Sequence, residues 1–309
     1  MEFTKAAITL EAQADLLLSR GLVADRAQLI TRLQSVSYYR LSGYAYPFRI
    51  PGTDNLQPGT NFDTIWQRYC FDRRLRVLLL DAIERIEVAV RTRLVYHFAQ
   101  QHGPFGYLHA QHFPKLEIGT YLEWRLKLHE ETNRSKEVFK KAFFTKYTAH
   151  TELPLWMVAE LMSMGSVLTF LKGVAPQIKQ AVGAPEHLPD TLLLSWFTSL
   201  NAARNMCAHH ARLSNRELGY QPLLPQPNKF PLWHGEHKIP NHRCGILLFI
   251  CRYWLGLISP SSHWPERVGQ LFTEYPGQSR LPTWVCRKTG GNTQSGINLA
   301  RPDSLRLQI

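Results

Sequence analysis

Chemically reactive side chains are concentrated in one short stretch of this sequence, between residues 204 and 212. The stretch holds two guanidinium groups, an amide, a thiol and two imidazoles, namely Arg204, Asn205, Cys207, His209, His210 and Arg212. On a helix, Asn205 and His209 lie one turn apart on one face. The long side chain of Arg204 can lean round the helix to join them. These three groups can therefore meet at a single phosphodiester.

The chemistry that needs this set without a metal is RNA cleavage. An imidazole takes or gives a proton near neutral pH, so His209 is predicted to be the general base or acid. Arg204 would stabilise the charge on the phosphorane oxygens through a bidentate contact, and Asn205 would orient His209 or the phosphate. The attacking group would be the 2′-hydroxyl of RNA. DNA should then be inert, the products should carry a cyclic phosphate and a free 5′-hydroxyl, and no cofactor is needed.

The same residues allow two other interpretations. Arginine and histidine near the C-terminal end of a helix satisfy its last carbonyl groups and its dipole, which is a purely structural role. Cys207, His209 and His210 are of the types that bind zinc. Their spacing of two and one on a helix turns them to different faces, which disfavours a metal site.

The reactive stretch is predicted to belong to a helix that begins at Pro189 and Asp190 and runs through Leu213. Its apolar stripe consists of Leu193, Phe197, Leu200, Ala203 and Cys207. The longest periodic segment lies earlier, from residue 63 to about residue 101, and predicts one long amphipathic helix, or two broken by a kink, ending before Gly103. Its polar face predicts two ion pairs, Asp81 with Arg85 and Glu87 with Arg91.

The other periodic segments also have helical spacing. Near the N-terminus, Gly21 ends one short helix and Asp25 caps a second, which leads into an aromatic turn segment up to Arg49. Further helices are predicted at residues 118–133, 136–150, 155–172 and 245–258. With no repeat and little alternating pattern, the predicted fold is an all-α bundle. We expect an N-terminal helical and aromatic segment at 1–50, a helical domain at 60–260 and a polar C-terminal extension at 276–309.

Composition limits the class of protein. The chain of 309 residues has 44% hydrophobic and 11% aromatic residues, which is too many for a disordered chain. Lysine and arginine total 36 against 24 acidic residues, a net charge of +12 that predicts a polyanionic partner, nucleic acid before an anionic membrane. Five scattered cysteines indicate a reducing cytoplasm rather than a disulfide framework. The sequence predicts neither a signal peptide nor a membrane-spanning segment.

Aromatic and basic side chains alternate in the segment around Tyr39. Such a segment can stack unpaired bases and neutralise phosphates, as single-strand RNA binders do. The other interpretation is that Tyr38, Tyr39 and Tyr44 pack between helices, and we expect this of at least two of them. The predicted RNA-binding side chains are Tyr39, Arg40, Arg49, Arg91, His210 and Arg212.

Residues 204–209 have the form R-N-x-x-x-H, which resembles the R-x4-6-H motif of HEPN ribonucleases. The longer string RNMCAHHARLSNR, at residues 204–216, is more specific. It occurs together with RGLVADRAQLITRLQSVSYYRLSGYAYPFR at 20–49, RIEVAVRTRL at 85–94 and LWMVAELMSMGSV at 155–167. In this order the strings resemble the Abi-like family, the AbiD/AbiF group of bacterial abortive-infection proteins. Nothing after Gly219 is covered by the resemblance.

The resemblance implies a HEPN-type helical bundle and a bacterial cytoplasmic protein of antiviral defence, of the toxin–antitoxin kind. It also implies a metal-independent endoribonuclease, a hydrolase with Arg204, Asn205 and His209 as its catalytic residues. Members of the group often occur with a small structured non-coding RNA that regulates them. HEPN domains commonly pair two R-x4-6-H motifs across a dimer, so a homodimer that brings together two copies of residues 204–209 is expected.

Two other functions stay open at this point. The first is an RNA-binding HEPN module that sequesters or scaffolds RNA and cuts nothing, in which Arg204 and His209 hold phosphate or fix the dimer. The second is a membrane-active toxin that acts through the apolar residues 247–257. Arg252 within that segment, and its short length, disfavour this function.

Overall fold

All of the regular secondary structure in the described part of the chain is helical, as predicted. The computed structural model describes residues 2, 6–228, 230, 233 and 240–277. Apart from three isolated β-bridges, the regular secondary structure of these residues consists of α-helices and short 3-10 turns. The helices are α1 (Leu10–Ser19), α2 (Arg26–Val36), α3 (Tyr38–Ala45), α4 (Phe62–His102), α5 (Ile118–Arg134), α6 (Val138–Lys146), α7 (Leu155–Val158), α8 (Met164–Gly173), α9 (Pro176–Gly183), α10 (Asp190–Ala208), α11 (Gly245–Ile258) and α12 (Trp264–Glu274).

Helix α4 is the axis of the fold. It has 41 residues and is about 60 Å long. The side chain of Asn61 caps its start by accepting from the backbone N–H of Asp63 (2.7 Å), and Gly103, with a φ of +71°, ends it. The predicted long helix is confirmed, as is its Asp81–Arg85 ion pair (2.9 Å) and the pair between Glu87 and Arg91.

The main hydrophobic core surrounds α4 from Phe71 to Phe98, and helices α9, α10, α11 and α12 pack against this helix. The predicted apolar stripe of α10 is buried throughout, from Leu193 to Cys207. Two buried tryptophans tie distant segments to this core through their indole N–H groups. Trp196 donates to the carbonyl of Leu223 (2.9 Å), and Trp264 donates to the carbonyl of Leu78 (2.7 Å). The core therefore extends into α12.

A second, smaller core joins α1, α2 and α3 to the start of α4. The predicted cap of α2 is confirmed, since the Asp25 carboxylate accepts from the backbone N–H of Gln28 (2.7 Å). Gly21 has a φ of +94°, as its predicted place after α1 requires. The predicted aromatic turn segment is wrong in part, because Tyr38–Ala45 is helix α3. Ser37 caps this helix by accepting from the backbone N–H of Arg40 (3.4 Å).

Several predicted boundaries are also wrong. The predicted helix 155–172 is broken into α7, a 3-10 turn and α8, because Ser163 caps a new helix by accepting from the backbone N–H of Ser166 (3.3 Å). The predicted helix 136–150 is shorter, and helices α9 and α12 were not predicted. The predicted C-terminal extension lies outside the described residues, except for residues 276 and 277. Within the described residues, no helix is both long and apolar enough to cross a bilayer.

Candidate functional site

Helix α10 ends in a tight turn immediately after Ala208, five residues before the predicted end at Leu213. The backbone N–H of His210 donates to the carbonyl of Cys207 (3.1 Å), and that of Ala211 donates to the carbonyl of Met206 (2.8 Å). This pair of bonds is a Schellman motif. Its left-handed position, usually a glycine, is His210 with a φ of +56°. Since the chain leaves the helix there, His209 and His210 are exposed to solvent.

The three predicted catalytic residues lie on the last turn of α10 and at its end. Arg204 is half-buried, and its guanidinium donates to the side-chain oxygen of Asn205 (3.4 Å). The backbone N–H of His209 donates to the carbonyl of Asn205 (3.0 Å), which places His209 one turn beyond it. Asn205 and His209 are both exposed. A guanidinium, an amide and an imidazole therefore project from one solvent-facing helix end.

Glu87 on α4 is a neighbour of this site that the sequence showed only as the partner of Arg91. Burial raises the pKa of Glu87, and the positive charges of Arg91 and then Arg204 oppose that rise. Arg91 pairs with Glu87 and also donates to the carbonyl of Met162 (3.1 Å). Glu87 is therefore near enough to Arg204 for their charges to interact. No local pattern could have shown this, since the two residues belong to different helices.

The arginines predicted to bind RNA all have partners within the protein. Arg40 donates to the carbonyl of His210 (2.5 Å), and Arg212 donates to the carbonyl of Gly43. Arg49 pairs with Asp54 (3.0 Å), and Arg91 pairs with Glu87. Of the other predicted RNA-binding side chains, Tyr39 is 89% exposed and His210 is exposed.

The neighbouring tyrosines pack as expected. The hydroxyl of Tyr38 accepts from Arg20 (2.6 Å), and the buried Tyr44 donates to Asp72 (2.7 Å). The prediction that at least two of the three tyrosines are packing residues is therefore confirmed. Tyr39 is left as the one that presents its ring to solvent.

A buried carboxylate on α4 holds the loop that follows α10. Asp72, which is fully buried, accepts from the backbone N–H groups of Leu213 (3.1 Å) and Ser214 (2.6 Å). It also pairs with the buried Arg76, which donates to the carbonyl of Ala211 (3.3 Å). Sequence reasoning missed Asp72. The sequence signal that could have indicated its burial is its position one turn before Leu75 and Arg76, on the apolar side of a long helix.

The zinc interpretation of the cluster finds no support in the geometry. Cys207 is buried, whereas His209 and His210 are exposed, so the side chains face different environments as their spacing predicted. No group of three potential metal ligands is found within the described residues.

Cys207 is expected to be unreactive in the native protein. Burial raises the pKa of its thiol to about 12, so the nucleophilic thiolate is scarce at pH 8. After treatment with iodoacetamide at pH 8, mass spectrometry should find Cys207 unmodified in native protein and modified in guanidinium. The half-buried Cys70 is the internal control and should react before Cys207. Native alkylation of Cys207 at the rate seen in guanidinium would contradict the packing described here.

Residues 31–215 match the family model described as Abi-like protein. The match covers more than half of the chain, begins within α2 and ends just after the loop that Asp72 holds. No curated protein and no solved structure matches the chain.

Proposed function

The chain belongs to the Abi-like protein family, and from this premise we propose that it is an abortive-infection protein that cuts RNA with the residues at the end of α10. The family membership supports a function in abortive infection. The finer part of the proposal is a HEPN-type, metal-independent endoribonuclease. It is carried by one observation: within the matched residues, Arg204, Asn205 and His209 project together from a solvent-facing helix end.

The proposed reaction is an internal transfer of the phosphodiester. His209 accepts the proton of the RNA 2′-hydroxyl, and the 2′-oxygen attacks phosphorus. The bond from phosphorus to the 5′-oxygen breaks, and that oxygen takes up a proton from water or from the protonated His209 of a second copy. Arg204 stabilises the negative charge on the phosphorane oxygens. The products are a 2′,3′-cyclic phosphate and a free 5′-hydroxyl.

Asn205 is proposed to position the Arg204 guanidinium, and Glu87 to add negative charge to its surroundings. The amide oxygen of Asn205 accepts from the guanidinium, and Glu87 lies within electrostatic reach of it. A guanidinium held by a neighbouring amide loses less side-chain entropy when it binds a phosphate. Pre-organisation of this kind is what electrostatic stabilisation of a transition state needs.

RNA is the proposed partner as well as the substrate. The net charge of +12 favours a polyanion, and the exposed Tyr39 and His210 are available for bases and phosphates. We propose a small non-coding RNA as the regulator, a homodimer that brings two copies of the motif together, and a cytoplasmic site of action in a bacterium.

The proposal is tested by incubating purified protein, stripped of bound nucleic acid, with mixed single-stranded RNA and DNA in EDTA. We expect cleavage of RNA only, with 5′-hydroxyl and cyclic phosphate ends, because the 2′-hydroxyl is the nucleophile. RNA with 2′-O-methyl groups is the matched control, since it binds in the same way but has no nucleophile. Intact RNA that stays bound at a stoichiometric level would instead support the non-catalytic binding module. Cleavage of DNA, or cleavage that EDTA abolishes, would refute the mechanism.

A further inference from the structure

Helix α3 contacts the loop after α10 through two reciprocal bonds. Arg40 on α3 donates to the carbonyl of His210 in the loop (2.5 Å), and Arg212 in the loop donates to the carbonyl of Gly43 on α3. The partners are about 170 residues apart in sequence. Each element thus supplies one guanidinium to the backbone of the other. We call these two bonds the α3 latch.

The latch acts on a residue whose backbone conformation is unfavourable. His210 has a φ of +56°, in the left-handed region that residues other than glycine occupy only at an energetic cost. Such a conformation persists when surrounding contacts over-determine it. The bond from Arg40 is made to the carbonyl of this very residue. Because His210 directly follows His209, its conformation sets the direction in which the chain leaves the helix at His209.

The buried network beneath the loop connects the same two elements. Tyr44 on α3 donates to Asp72 (2.7 Å), and Asp72 accepts from the backbone N–H groups of Leu213 and Ser214. Arg76 adds a bond to the carbonyl of Ala211 (3.3 Å). Helix α3 is therefore bonded to the loop directly at its surface and through Asp72 in its interior. These bonds restrain the position of the loop relative to α3.

We propose that the α3 latch positions His209, and that Arg40 and Arg212 are positioning residues acting on the loop backbone rather than residues that bind RNA phosphate. This inference rests on the proposed role of His209 in RNA cleavage. It replaces the sequence-based prediction for these two arginines, whose guanidinium groups are already engaged with carbonyl oxygens. The proposal also assigns α3 an indirect role in the reaction.

Two single variants, Arg40→Ala and Arg212→Ala, test the proposal, because each removes one bond of the latch at a partly exposed position. We expect each to lower the single-turnover rate of RNA cleavage on the order of tenfold to hundredfold, since misplacement of a reacting group by about 1 Å has such an effect. Binding of 2′-O-methyl RNA should keep the wild-type Kd. The double variant should lose no more than the worse single variant, because both bonds close one contact.

A second measurement does not depend on cleavage. Amide hydrogen exchange of the peptide 206–216, without RNA, should become faster in both variants. Arg26→Ala is the matched control, since Arg26 pairs with Asp15 on α1, away from the latch, and should change neither the rate nor the exchange.

Each contrary result is specific. A weaker Kd with a smaller dependence on salt, at unchanged exchange, would show that the arginines bind phosphate and would overturn the latch. Unchanged cleavage rates in both variants would overturn it as well. If wild-type protein cuts no RNA, the proposed function fails by itself, and the exchange data still decide whether α3 holds the loop.

Discussion

Replacing His209 by alanine is expected to lower the rate of RNA cleavage by about two to four orders of magnitude, the usual contribution of a general acid or base. The alanine cannot accept the proton of the 2′-hydroxyl, so attack on phosphorus has to rely on water. The measurement is single-turnover cleavage of a labelled RNA in EDTA. Binding of 2′-O-methyl RNA should survive, because His209 is exposed and its loss leaves the packing of α10 intact.

Arg204 should show a related but distinguishable effect. Arg204→Ala is expected to lower the rate by about two to three orders of magnitude, since one stabilising donor at the developing charge is lost. Arg204→Lys should recover little of the lost rate, because a lysine ammonium cannot make the bidentate contact.

For the His209→Ala prediction, His129→Ala is the matched histidine control, as His129 is exposed on α5 and pairs only at 3.9 Å with Glu152. A His209→Ala protein that cuts RNA at the wild-type rate would remove His209 from the mechanism.

Asp72→Ala is expected to cause the largest loss of stability, about 3–5 kcal/mol in the free energy of unfolding. The substitution leaves the Arg76 charge buried without its partner, and it removes the acceptor for the backbone N–H groups of Leu213 and Ser214. The loop after α10 should loosen together with α3, since Tyr44 also loses its acceptor. The measurement is the midpoint and slope of denaturant unfolding.

Two further variants serve as comparisons for the stability of Asp72→Ala. Asp72→Asn should be less destabilising than Asp72→Ala, because the amide oxygen can still accept from one backbone N–H. Asp15→Ala removes a carboxylate from an exposed pair with Arg26 and should leave the unfolding midpoint unchanged. If Asp72→Ala unfolds at the same denaturant concentration as Asp15→Ala, the carboxylate does not hold the loop.

Many of the helices, among them α4 and α11 with their ends, could be predicted from the sequence alone. The apolar stripe of α10 and the length of α4 follow from the recurrence of apolar residues every three or four positions. The cap at Asp25 and the left-handed Gly21 also follow from nearby residue types. The same holds for the ion pairs within α4, since their partners are four residues apart. All of these features depend on interactions within a few residues.

The candidate site could be predicted as a set of residues but not as an arrangement. The motif at 204–209 was visible, and the meeting of Arg204 with Asn205 is a contact between adjacent residues. The early end of α10 at Ala208 was not visible, because the following loop is held from outside the helix by Asp72 and Arg40. A helical pattern that continued to Leu213 was overridden by these bonds.

Only the tertiary structure decided which arginines are engaged and which carboxylate is buried. Arg40 reaches His210 across 170 residues of sequence, and Asp72 reaches Leu213 across 141. Arg40 was predicted from its residue type and neighbours to bind RNA, and its observed partner is a backbone carbonyl of its own chain. Residue types and spacing show which kinds of group a side chain is able to bond to. Which groups come within 3 Å of each other depends on how α3, α4 and α10 pack, and that information is spread over the whole core.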